Sequence, residues 1–245
     1  MYKVKSHHTG FSLVELMVSI SIFMVVTAVT LTSYPKFSNR LSLDLLAEDI
    51  ALSIRQAQIF GSSVLGARGG VGLANIFTAY GVHFEEPDMT SPNYNYLIFA
   101  DVANPPSGAG KIDRQYNGLD ANGLDFPCPF VNENGGIGPI AESECLQKFQ
   151  ITGFNRVSAL CSNFEVAPTK EERVADCLSN KKNQVKVLDI IFVRPNLDAL
   201  FTMKDGAKDI VDSSNVPSVG IVLESPGGEY HKTVVVWKTG QISVE

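Results

Sequence analysis

The chain has 245 residues, 44% of them hydrophobic, and a net charge of −6. That is material for one modest core, so one soluble domain is a better expectation than two. The acidic balance lacks the clustered Lys and Arg of a non-specific nucleic-acid binder and disfavours nucleic acid as a partner.

Residues 1–10, MYKVKSHHTG, form a short leader carrying Lys3, Lys5, His7 and His8. The apolar run that follows, Gly10 to Tyr34, has bilayer-spanning length and holds a single acid, Glu15. Three readings compete for it. It could be a signal peptide cut after Val26-Thr27-Ala28, an anchor that is never cut, or a segment whose leader is removed before the apolar run begins. Glu15 separates them. A carboxylate inside a spanning segment costs a few kcal/mol and is usually kept for a specific partner. Neither of the first two readings needs that acid. Lys3 and Lys5 place the N-terminus in the cytoplasm and the large C-terminal part outside.

The run ends near Tyr34-Pro35, where proline is expected to kink or locally melt a helix. Beyond it, Leu43, Leu46, Ile50, Ile54 and Ala57 recur at helical spacing, while Asp44, Glu48 and Arg55 take another face. The spacing predicts an amphipathic half-helix over 35–61 lying on a globular domain, with Gly61 as a plausible stop. Phe11 to Phe60 would make about 75 Å of helix. A separate soluble helix after a flexible break at Pro35 is the alternative.

From Val64 onward β-signals take over. Expected strands are Tyr80–Glu85, Tyr94–Asp101, Lys148–Thr152, Arg156–Cys161, Val187–Val193, Val219–Glu224 and Thr233–Trp237. The ending TVVVWKTGQISVE reads as a hairpin turning at Lys238-Thr239-Gly240 and returning over Gln241 to Val244. The fold class is α+β: a long N-terminal helix with one antiparallel sheet, or a pair, over its second half. The expected division is leader 1–10, spanning and assembly helix 11–34, half-helix 35–61 and β-rich domain 62–245. Within that domain the stretch 104–183 has the look of an insertion.

All four cysteines, Cys128, Cys145, Cys161 and Cys177, lie in that stretch, with 16, 15 and 15 residues between neighbours. None forms a C-x-x-C pair, which argues against structural zinc. An even count beyond a membrane helix points to disulfides in an oxidising compartment. Three connectivities are open; sequential pairing closes the shortest loops, and four reduced buried thiols are the alternative. Asp113, Asn117, Asp120, Asn122 and Asp125 gather oxygens in KIDRQYNGLDANGLD, which makes calcium the candidate cofactor. The loop lacks the closing Glu of an EF-hand, and a solvated Asx-rich turn is the plainer reading. No catalytic constellation stands out. His83 and His231 adjoin no nucleophile motif, and Gly69-Gly70-Val71-Gly72 lacks the lysine of a phosphate loop. The expectation is a non-enzymatic chain that requires no cofactor. Trp237, Phe192 and Phe99 are assigned to the core, Lys181-Lys182 to a solvated loop and Ser225-Pro226-Gly227-Gly228 to a turn.

Residues Gly10 to Glu15, GFSLVE, resemble the consensus of type IV pilins and type II secretion pseudopilins: a small residue, Phe, an apolar stretch, and Glu as fifth residue of the cut chain. The resemblance implies that a membrane prepilin peptidase cuts between Gly10 and Phe11 and methylates the new amine. It also implies a subunit held in the inner membrane, then polymerised with other subunits by an inner-membrane assembly platform. The Phe11 ammonium is largely protonated at neutral pH, so Glu15 of a neighbour would remove two unpaired charges from an apolar fibre core. Three further segments, DLLAEDIALSIRQAQ, YGVHFE and VVVWKTGQISV, resemble the minor pseudopilin H and fimbrial T branch. A tip subunit binding DNA or a secreted substrate is the alternative role.

Overall fold

The computed structural model describes residues 12–63, 79–85, 95–101, 114–116, 128, 144–151, 154–164, 169–179, 183–205, 210–211 and 215–245. The chain divides into two units, Met1–Leu41 and Ser42–Glu245.

One helix, α1, spans Leu13–Ser62 and runs through Pro35 without interruption. Proline removes the amide that would bond Leu31, yet the turns on either side are intact, so the expected local melting is not seen. The first part of α1 is exposed and apolar. It holds an 18-residue window of mean hydropathy 2.2, none of it buried, which is length and composition enough to cross a membrane.

In the second unit, Leu43, Ala47, Ile50, Ala51, Ile54 and Ala57 of α1 are buried. They sit in one cluster with the inner faces of two antiparallel sheets. The six-stranded sheet contains β1 (Ala79–Glu85), β2 (Asn95–Asp101), β3 (Cys145–Gln150), β6 (Val187–Phe192), β7 (Ala199–Lys204) and β8 (Ile210–Val211), in the order β3-β2-β1-β6-β7-β8. The five-stranded sheet contains β4 (Arg156–Ser162), β5 (Gln184–Val185), β9 (Ser218–Glu224), β10 (His231–Trp237) and β11 (Ile242–Val244), in the order β11-β10-β9-β4-β5. Register rows explain the core. Val82 stands between Ile98 and Ile190, and Ile221 between Leu160 and Val234. Because strand side chains alternate faces, these rows turn branched residues together onto the helix.

Close approach, more than helix termination, explains Gly61. A Cβ there would lie 2.7 Å from both Cβ and the carbonyl oxygen of Phe192, and α1 continues one residue past it. Ser53, the polar residue in this face, donates to Asp49 O at 2.9 Å and contacts the Tyr96 hydroxyl at 3.2 Å. Near the C-terminal end of α1, Gln58 Nε2 donates to Gly240 O at 3.0 Å, tying the helix to the last hairpin. Gly240 turns that hairpin at φ 82°, a conformation disfavoured for residues with a Cβ.

Most expected strands form, with β3 lying earlier than Lys148–Thr152. Absent from the sequence reading are β5, β7, β8 and a second helix, α2 (Lys170–Ser179). The 104–183 stretch supplies β3 to one sheet and β4 to the other, with α2 following. β4 pairs with β9, so this stretch is woven into the fold.

Candidate assembly segment and cysteine-bearing faces

The N-terminal site begins at Ser12. Its Oγ accepts a hydrogen bond from the Glu15 amide at 3.2 Å, capping α1 at its first turn. Ser-x-x-Glu is the spacing of a capping box, a signal legible in SLVE that the sequence reading passed over. The cap places the Glu15 carboxylate in the first turn, where the helix macrodipole favours a negative charge by about 0.3–1 kcal/mol. Its surroundings are bare and apolar: Leu13, Val14, Leu16, Met17 and Val18 are all more than half exposed. An acid on such a surface has nothing on its own helix to neutralise it.

The polar side chains further along this segment satisfy themselves. Ser19, Ser21, Thr27 and Thr32 each donate to the carbonyl four residues earlier, at 2.8 Å. A hydroxyl so bonded can enter an apolar medium without an unpaired donor, which reconciles these residues with a spanning helix. After the run, exposed Tyr34, Lys36, Phe37 and Arg40 form the aromatic and basic collar usual at a membrane surface.

Gly10 and Phe11 lie outside the described residues. So do the calcium candidates Asp113, Asn117, Asp120, Asn122 and Asp125. Among the described residues, no three His, Cys, Asp or Glu side chains come together to hold a metal.

The four cysteines form Cys128–Cys145 and Cys161–Cys177, with Cα–Cα distances of 5.5 and 5.9 Å. Each disulfide holds a covering layer on the outer face of one sheet. On the five-stranded sheet, Cys161 joins β4 to Cys177 of α2, amid Ala159, Phe164, Val174, Val222 and Val235. Thr169 Oγ1 caps α2 by accepting from Glu172 N at 3.2 Å, and Gln184 Nε2 donates to Cys177 O at 2.8 Å near its other end. Thr169-x-x-Glu172 is again a capping-box spacing, the sequence signal that could have revealed α2.

On the six-stranded sheet, Cys145 lies with Leu97, Phe99 and Ile191, and Tyr116 and Cys128 pack over them. His83 and Asp189, which the sequence reading did not connect, are cross-strand partners here. His83 Nδ1 lies 2.6 Å from Asp189 Oδ1, and the carboxylate is almost wholly buried. Asp189 Oδ2 accepts from Tyr116 N at 3.4 Å, and the Tyr116 ring packs on His83 and Phe99. Asp101 Oδ2 likewise accepts from Arg114 N at 2.9 Å. Buried carboxylates here hold the short 114–116 segment onto the sheet, a structural use of residues that sequence spacing could not pair.

A groove of about 640 Å³ runs beside α1, lined among others by Leu45, Asp49 and Leu52 of the helix and by Tyr96, Phe149 and Asn155. Burial raises the pKa of the Tyr96 hydroxyl, so the phenol stays neutral. Tyr96 and Phe149, stacked at 4.8 Å between centroids, wall the groove on the sheet side, and buried Phe84 stacks on Tyr96 at 5.5 Å.

The geometry places a capped acid at the start of an exposed apolar helix, and comparison with known families identifies the same stretch. Residues 5–31 match the prokaryotic N-terminal methylation motif. The motif supports a type IV pilin-like or pseudopilin-like subunit, one that assembles with other pilin subunits and is processed by a prepilin peptidase. Together with the apolar helix it fits a membrane-anchored pilin-like protein. The comparisons with curated proteins and with solved structures give no match. The comparisons give no support to the H and T branch.

Proposed function

We propose that the protein is a structural subunit of a type IV pilus or type II secretion pseudopilus, with its C-terminal body outside the inner membrane. Prepilin peptidase removes residues 1–10, and the amine of Phe11 is methylated. The helix anchors the subunit in the membrane first and packs in the filament core afterwards. The observation that carries this reading is the match of the methylation motif to the start of α1, with Glu15 in the capped first turn of an exposed apolar helix.

In the filament, the carboxylate of Glu15 takes the Phe11 ammonium of a neighbour as partner. Two unit charges 4 Å apart attract by about 4 kcal/mol at an effective dielectric of 20. Leaving either unpaired in an apolar core is far costlier, so the pair sets axial register. Mass spectrometry of the mature chain tests the processing step. N-methylated Phe11 at the terminus is expected; a chain beginning at Val29, or retaining Met1, refutes it.

A further inference from the structure

The side chain least explained by the fold is Phe154. It is 92% exposed and, with Leu197, is one of two exposed large apolar residues outside α1 among the described residues. Its backbone is left-handed, at φ 63°. That conformation suits Gly or Asn and is strained for an aromatic residue. Phenylalanine therefore brings local strain here and no compensating burial. Strain of this kind, held at a surface, points to a contact made outside the molecule.

The position says which contact. The next residue, Asn155, is buried and donates from Nδ2 to Ser42 Oγ at 3.1 Å. Ser42 is the first residue of the second unit. It follows Tyr34, the end of the apolar run, by eight residues: about 12 Å as helix and no more than about 29 Å fully extended. Through Asn155, Phe154 thus lies beside the point where the body joins the helix, and the short connection leaves the bilayer surface within its reach. Leu197, by contrast, sits beside Gln58, about 24 Å of helix further on. Among the described residues, Arg156, two positions after Phe154, and Asp44, two after Ser42, each have an ion-pair partner. Arg156 bonds Glu224 through Nε at 3.1 Å and Nη2 at 2.9 Å, and Lys232 Nζ lies 3.0 Å from Asp44 Oδ1. Pairing lowers the desolvation that an approach to lipid would demand.

We infer that Phe154 inserts into the headgroup–acyl boundary of the bilayer while the subunit waits in the membrane, holding the body against the lipid surface until assembly lifts it away. The inference rests on the membrane-anchor reading above and commits to lipid as the partner. An aromatic ring at this depth buries its apolar body while leaving the neighbouring polar backbone hydrated.

The test uses the full chain in phosphatidylcholine–phosphatidylglycerol liposomes, carrying Trp237→Phe and Phe154→Trp so that position 154 holds the single indole. Blue-shifted emission, quenched more by bromines near the glycerol end of the acyl chain than by bromines near its methyl end, is expected. Water-like emission indifferent to brominated lipid, from a chain that still resists carbonate extraction, overturns this inference and leaves the anchor reading standing. A chain extracted by carbonate overturns both. As a second measurement, Phe154→p-benzoylphenylalanine in the otherwise unaltered chain is irradiated in membranes before assembly. Lipid adducts support the inference; adducts to another subunit alone overturn it and make Phe154 a filament contact.

Discussion

Substitution of Glu15 separates the place of its side chain in a capped first turn from its proposed pairing with a neighbouring amine. Glu15 is the N3 residue of a capped helix and also the acid proposed to meet a neighbouring amine. Glu15→Gln keeps a side chain that can serve a capping box but removes the charge. Glu15→Val removes both. The dipole share is small, about 0.3–1 kcal/mol. The charge pair is larger, about 4 kcal/mol at an effective dielectric of 20, or nearly a thousandfold in each subunit addition. If pairing governs assembly, Glu15→Gln should be as defective as Glu15→Val. Both variants should still be cut after Gly10, because the change lies five residues past the scissile bond. The assay is the amount of chain recovered in sheared filaments, set against the processed fraction in the membrane by mass spectrometry. Wild-type incorporation of Glu15→Gln would refute the pairing argument, and a defect confined to Glu15→Val would transfer the role to the cap.

Two further predictions concern the body. Cys161 and Cys177, 16 residues apart, close a loop whose cross-link contributes about 3 kcal/mol in the chain-entropy account. Joint Cys161→Ala and Cys177→Ala substitution should lower the unfolding free energy by that order in denaturant titration; an unchanged midpoint would show that α2 is held by its apolar face alone. Gly61→Ala sets helix propensity against packing. Alanine gains about 1 kcal/mol in the helix, but its Cβ would sit 2.7 Å from Phe192, and overpacking costs about 1–3 kcal/mol. Packing should win, lowering the thermal midpoint; a raised midpoint would mean that α1 shifts freely on β6.

The parts of this protein legible in the sequence are those whose physics is local. The apolar run, its single acid and the helical recurrence from Leu43 to Ala57 are periodicities, and α1 carries them as expected. Strands such as Tyr80–Glu85 and Val219–Glu224 are runs rich in β-branched and aromatic residues between turn residues. β7 was missed although Ala199, Phe201 and Met203 alternate inward. α2 was missed because its ten residues are mostly polar and its apolar stripe is short. Pro35 misled in the other direction, since a long apolar helix absorbs the loss of one amide.

What the sequence determined by itself is the N-terminal segment: GFSLVE, the spanning run and the acid within it need no tertiary partner to be recognised. Tertiary structure alone decided the rest. It paired His83 with Asp189 across 106 residues, set Phe192 against Gly61, and left Phe154 bare next to Asn155, which bonds the first residue of the body. The reason is the same in each case. Sequence pattern reports which face of an element is apolar, whereas these contacts depend on which elements become neighbours, and strand order is settled only when distant segments pack together.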